Sequence, residues 1–192
     1  MRIASFTMSL QAPESNIISF TGKIHLITTN SQLAAVSERL AVSKELGFDT
    51  ETRPSFKKGE FYKVALLQLA NETDAYLIRL QKISNFQILK SVFERNDIVK
   101  VGVAIRDDLK QLKKTFDFNP QNFVELQELA KANGLQNFGL QGMTEEVLQA
   151  RLSKRAKITN WEASELTDQQ IKYAATDAWI GFKLFHRLRK PN

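Results

Sequence analysis

The chain has 192 residues, 43% of them hydrophobic, enough for one core of ordinary single-domain size. Its 27 basic residues against 21 acidic ones leave a formal charge of +6, a mild excess that suits a polyanionic partner but also an ordinary globular protein. The absence of cysteine excludes disulfides, thiolate catalysis and zinc fingers, and two histidines, His25 and His186, are a thin supply for zinc.

The opening stretch, MRIASFTMSLQAPESNIISF, breaks each apolar run with polar residues and so matches neither a signal peptide nor a membrane helix. A cytoplasmic location without a membrane partner is expected. Residues 1–20 read as a loose leader ahead of one domain over 21–192. GKIHLIT (22–28) is a first strand, and Asn30 is expected to cap a helix striped by Leu33, Val36, Leu40 and Val42. In ELGFDTE (45–51), alternation puts Leu46 and Phe48 on one strand face and Gly47, Asp49 and Glu51 on the other.

KVALLQLA (63–70) is an almost continuous apolar run of strand length; NETD turns it and AYLI (75–78) returns, a buried hairpin at the sheet centre. A helix over 84–94 leads to the strand DIVKVGVAI (97–105), which runs into a helix over 106–116. After a short strand at 123–125 the remainder is largely helical. The expected fold is α/β, a mixed sheet in which an antiparallel meander precedes βα units, flanked by helices. The best-marked element is the last helix: Thr167 to Gln170 form a capping box, and Arg187, Arg189 and Lys190 suit the negative pole near Leu188.

Four acids stand where these elements converge: Asp49 and Glu51 on one strand face, Asp108 after a strand end, and Asp177 in the final helix. Tyr173, four residues before Asp177, lies on the same helix face. Two like charges about 4 Å apart repel by roughly 4 kcal/mol at an effective dielectric of about 20, so cations or protons must offset the gathering. An all-oxygen ligand set favours Mg²⁺ or Mn²⁺, and a pair of such ions suits phosphodiester hydrolysis. Taken singly, D-x-E and Y-x-x-x-D are ordinary strand-end and helix-face patterns; their joint placement gives the signal.

GFDTE, KVALLQLA, VGVAIRDDLKQL, NFVEL and NWEASELTDQQIKYAATDA, in this order and spacing, resemble the Werner-type exonuclease domain, a relative of ribonuclease D. The resemblance spans about residues 23–188. It implies a ribonuclease-H-like sheet and the four-acid-plus-tyrosine chemistry of 3′-to-5′ exonucleases, with two Mg²⁺ or Mn²⁺ ions and a nucleic-acid 3′ end as partner, DNA favoured over RNA. On that pattern Asp49 would bridge both metals, Glu51 and Asp177 would complete the first site, Asp108 would hold the second largely through water, and Tyr173 would orient the attacking water. The motif aligns the third acid with Asp108 and not its neighbour Asp107. The sister subgroup's histidine falls on Lys172, which selects the tyrosine branch, while Leu109 and Lys110 stand where many members carry tryptophan. Neither a helicase nor a helical accessory domain is expected to follow.

For substrate contacts the segment TRPSFKKGEFYK offers Arg53, Phe56, Lys57, Lys58 and Lys63 with Phe61 and Tyr62, basic groups interleaved with aromatics that could meet phosphates and bases. A second basic excess, Arg151, Lys154, Arg155, Lys157, Lys172, Lys183, Arg187, Arg189 and Lys190, could track a strand's backbone. Trp161 and Trp179 read as packing residues. The competing functions are trimming of RNA 3′ ends by the same chemistry and a non-catalytic nucleic-acid binding module; the intact acid set argues against the latter.

Overall fold

Alternating hydrophobicity and one long capped helix organise the chain around a six-stranded sheet, seen in a computed structural model that describes residues 16–57, 59–153 and 159–189. The strands are β1 (Lys23–Ile27), β2 (Glu45–Thr52), β3 (Val64–Ala70), β4 (Asp74–Arg79), β5 (Val99–Gly102) and β6 (Phe123–Glu125). Their spatial order is β1-β4-β3-β2-β5-β6. The meander is β2, β3 and β4, antiparallel throughout; β5 joins β2 in parallel and β6 joins β5 in parallel. β1 does not belong to the meander: it pairs in parallel with β4, where the His25 ring meets Asp74 at 2.6 Å and stacks on Tyr76.

β3 and β4 are buried along their whole lengths, which accounts for the almost continuous apolar run of β3 and for AYLI in β4. One sheet face carries the larger core, where Phe93 touches Phe48, Phe116, Phe118 and Phe123 at centroid distances of 5.1–6.0 Å. Helices α1 (Asn30–Ala35), α2 (Ser37–Val42), α3 (Gln87–Phe93) and α4 (Ile105–Leu112) also contribute to this core. The opposite face receives α5 (Leu126–Ala132), α6 (Leu140–Leu148) and α7 (Asp168–Leu188).

Several boundaries depart from the sequence expectation. The first helical segment is two helices: Val36 sits at φ −106°, ψ 0°, and Ser37 Oγ donates to the Ala34 carbonyl at 2.7 Å. Its N-cap is Thr29, whose hydroxyl accepts from Gln32 N, while Asn30 instead binds Ser84 and Asn85. Val42, placed on the apolar stripe, is 74% exposed. The strand expected to reach 105 stops at Gly102, because Ala104 turns into the left-handed region at φ 57°. Of the leader expected over 1–20, residues 1–15 lie outside the described residues. Residues 16–20 lie against the fold: Ile17 bridges Arg151, and buried Phe20 donates its amide to Thr176 Oγ1 at 3.1 Å.

α7, 21 residues long, positions the site. Thr167 and Gln170 make the expected capping box. Its sheet-facing residues Ala174, Ala175 and Ala178 are small and fully buried. A Cβ on Gly47 would stand 1.8 Å from the Ala178 carbonyl oxygen, so only glycine permits this approach of strand to helix. Among the described residues no helix is long and apolar enough to cross a membrane.

Candidate active site

The alternation of β2 turns Asp49 and Glu51 toward α7 along with Gly47, and α7 returns Asp177 to meet them one residue before the Ala178 contact. One carboxylate oxygen from each of the three lies within 4.8 Å of the others. Tyr173, one helical turn earlier, hydrogen-bonds Asp177. The fourth acid arrives from α4: Thr50 Oγ1 donates to Asp108 Oδ1 at 2.8 Å, and the Thr50 amide donates to Asp49 Oδ1 at 2.9 Å. Thr50 thus ties two acids on two elements together. Asp107 points away, its side chain 85% exposed and paired with Lys110 at 3.2 Å.

The electrostatics match the crowding. Burial first, then the charges of Asp177 and Asp108, hold the Asp49 carboxyl well above the usual carboxylate range against the opposing Thr50 amide. Burial also raises Asp108, with Asp107 and Glu125 adding to it and the Thr50 hydroxyl opposing. The Tyr173 phenol is pushed above the ordinary tyrosine range, mainly by burial and next by Asp177. Such a cluster takes up positive charge, and its donors are all oxygen. The set fits a hard divalent cation and offers nothing to a soft one.

A cleft of about 280 Å³ opens over the cluster, lined by Asp49, Glu51, Gly102, Leu140, Tyr173 and Asp177. A neighbouring cavity of about 180 Å³ shares Tyr173 and Asp177 and is walled by Ile18, Leu152 and Lys172. Behind Tyr173 lies Trp161, fully buried, with ring centroids 6.2 Å apart. Arg79 Nη2 donates to the Ala163 carbonyl at 2.5 Å, and the Gln170 amide reaches Thr159 Oγ1 and the Asn160 carbonyl, so this segment is fastened to sheet and helix alike.

The residues expected to meet substrate are placed unequally. Phe56 and Phe61 are 82% and 87% exposed, so folding does not use them. Lys57 is exposed and Lys58 lies outside the described residues. Arg53 is engaged: it lies 3.5 Å from Glu162 and 4.8 Å over the Tyr62 ring. In the second basic set, Arg151 pairs with Glu145, Lys183 with Glu72 and Arg189 with Glu45, so part of that excess is neutralised within the fold. Lys154, Arg155, Lys157 and Lys190 lie outside the described residues. His186 pairs with Glu45 at 2.5 Å, remote from the cleft lining.

Three neighbours of the cluster escaped sequence reasoning. Thr50 is hidden inside D-T-E, where attention goes to the acids. Gln68, directly opposite Asp49 on β3, is fully buried, and neither of its amide atoms has a hydrogen-bond partner among the described residues. A polar residue inside the run VALLQLA was the available signal. Glu125 ends β6 and binds the backbone where α4 begins.

The 3′-5′ exonuclease family model matches residues 24–191. The chain is 36% identical over 159 residues to mouse "Bifunctional 3′-5′ exonuclease/ATP-dependent helicase WRN", covering 80% of this chain and 11% of that protein. It is 35% identical over 152 residues to an Arabidopsis thaliana "3′-5′ exonuclease", covering 75% of this chain and 52% of that one. Among solved structures, Escherichia coli RNase D superposes with a TM-score of 0.79 at 28% identity, over 86% of this chain and 44% of that one. The Aedes aegypti Nibbler EXO domain gives 0.81 at 22% identity, over 89% and 90% of the two chains, a likeness of fold. The chain thus spans about half or less of the length of the curated relatives it matches here.

Proposed function

This chain belongs to the 3′-5′ exonuclease family, and from that membership we propose that its cleft hydrolyses nucleic acid from the 3′ end, releasing nucleoside 5′-monophosphates one at a time. The observation that carries the reading is the meeting of Asp49, Glu51 and Asp177 within 4.8 Å beneath an open cleft, with Tyr173 bonded to the last of them.

Asp49, Glu51 and Asp177 would hold one divalent ion, Mg²⁺ or Mn²⁺, and Asp49 with Asp108 a second. Bound there, the ions supply Lewis acidity to the attacking and leaving oxygens of a phosphodiester. The side chains do the rest. Thr50 fixes the relative placement of Asp49 and Asp108 through its amide and hydroxyl. Tyr173 keeps its proton, because burial and the neighbouring carboxylates disfavour phenolate, so it serves as a hydrogen-bonding guide for the attacking water and not as a base. The water oxygen bonds to phosphorus and its proton passes to solvent in the open cleft; the bond from phosphorus to the preceding nucleotide's 3′ oxygen breaks, and that oxygen takes a proton from solvent, so the shortened strand keeps a 3′-hydroxyl and the nucleotide leaves as a 5′-monophosphate. Phe56 and Lys57, exposed five and six residues beyond Glu51, would meet bases and phosphates, with Arg53 contributing once released from Glu162.

DNA is the favoured substrate on the strength of the 36% identity to the mouse WRN protein. The second reading, trimming of RNA 3′ ends, draws on the 28% identity and common fold with RNase D. Digestion of matched 5′-labelled single-stranded DNA, recessed duplex and RNA with Mn²⁺ separates them: a ladder strongest on DNA is expected, and a ladder on RNA alone favours the second reading. The absence of any ladder, or a ladder unchanged by Asp49→Asn and Asp177→Asn, overturns the nuclease assignment.

A further inference from the structure

We infer that Glu125 is a positioning residue for Asp108, acting through the first turn of α4; the inference rests on the proposed metal-dependent nuclease reading. α4 starts at a residue that cannot cap it: Ala104 has no side-chain acceptor, and the helix has no cap bond from its own N-cap residue. The acceptor comes from 21 residues beyond Ala104. Glu125 Oε1 accepts from Ala104 N at 2.9 Å, and Oε2 accepts from Ile105 N at 2.9 Å. The same carboxylate also accepts from Gln127 N at 3.2 Å, the start of α5.

Ala104 and Ile105 lie four and three residues before Asp108, so the turn that Glu125 grips is the one directly beneath the Asp108 side chain. That turn needs gripping, since Ala104 stands at φ 57°, a conformation disfavoured for a residue with a Cβ. Asp108 in turn receives the Thr50 hydroxyl at 2.8 Å. Glu125 therefore sets the helix from below while Thr50 sets the carboxylate from the side. A carboxylate serving only as the N-cap of α5 would need the Gln127 bond alone; here the two shorter bonds go to α4. Outer residues that orient metal ligands in this way commonly change metal affinity or activity by about 10–100-fold when removed.

Calorimetric titration of the full chain with Mn²⁺ tests the assignment, alongside kcat and KM on a labelled oligonucleotide. Glu125→Ala is expected to weaken Mn²⁺ uptake about tenfold and lower kcat by a similar factor, with KM held within about twofold. Glu125→Gln, which keeps one acceptor oxygen and the side-chain volume, should fall between it and the unmodified protein. In an Asp108→Ala background Glu125→Ala should add nothing. Asn71→Ala is the control: Asn71 accepts two backbone amides in the β3–β4 turn, at the opposite end of β2 from Glu51, and its loss should lower Tm without changing Mn²⁺ uptake. Unchanged Mn²⁺ affinity in Glu125→Ala, full additivity with Asp108→Ala, or equal weakening in Asn71→Ala overturns the inference while leaving the nuclease reading intact. If the unmodified protein takes up no Mn²⁺, the nuclease reading fails and the inference falls with it.

Discussion

Adding one methyl group at Gly47 should disable the site without touching any acid. The new Cβ would lie 1.8 Å from the Ala178 carbonyl oxygen and 2.9 Å from both the Ala178 carbonyl carbon and Phe182 N. All three are helix backbone, so no side chain can swing aside. Restoring even a 3.0 Å separation requires α7 and β2 to move apart by about 1.2 Å, and Asp177 is the residue adjoining the contact. Overpacking of this kind costs about 1–3 kcal/mol, and at about 2–4 °C per kcal/mol for a chain of this size Tm should fall by roughly 2–12 °C. The same displacement separates Asp177 from Asp49 and Glu51, and a misplacement of about 1 Å at a reacting centre costs on the order of 100-fold in rate. Thermal unfolding without metal, Mn²⁺-induced Tm shift and exonuclease rate, measured together on Gly47→Ala, form the assay. A protein that loses stability yet keeps its full Mn²⁺ shift and rate would refute the claim that strand-to-helix contact sets the carboxylate geometry.

Gln68→Leu should raise the metal-free Tm, because it replaces two buried amide atoms that have no partner among the described residues, beside Leu66 and Ala70, with apolar volume; a gain of about 1–3 kcal/mol in unfolding free energy is expected, and a loss of stability would mean the amide is satisfied in solution. Lys100 gives a pH signature: burial lowers its pKa from 10.5 to about 8, so between those values the unfolded chain holds a proton that the folded one lacks and stability climbs with pH. Up to about 3 kcal/mol should appear between pH 8 and 10.5 in denaturant titrations and vanish in Lys100→Met, which also strips the Arg95 and Ile98 carbonyls of their donor. Phe56→Ala and Phe61→Ala should change the unfolding free energy by no more than about 0.5 kcal/mol, since both rings are exposed, while raising KM for single-stranded substrate several-fold. Unchanged KM would remove these rings from the substrate path.

The parts of this molecule legible from sequence are those written in local periodicity. β2 alternates with period two, so the shared face of Asp49 and Glu51 follows from the order of residues, and α7 announces its start through Thr167 and Gln170. The partners that arrive from elsewhere leave no such trace. Thr50 bonds Asp108 across 58 positions and Glu125 bonds Ala104 across 21, pairings that only the parallel packing of β2, β5 and β6 brings about. Arg53 has a partner of the same hidden kind: a basic residue beside aromatics suggests a substrate contact, and nothing local reveals that in the fold it also lies 3.5 Å from Glu162, more than 100 positions away. Position β1 was equally opaque, since an edge strand's partner depends on which edge the meander leaves open.

The proposed activity requires that three carboxylates from β2 and α7 share one cation. Anomalous diffraction from crystals grown with Mn²⁺ addresses it directly. A manganese peak is expected within about 2.5 Å of oxygens from Asp49, Glu51 and Asp177 together; a peak elsewhere, or density for none, would contradict a shared cation.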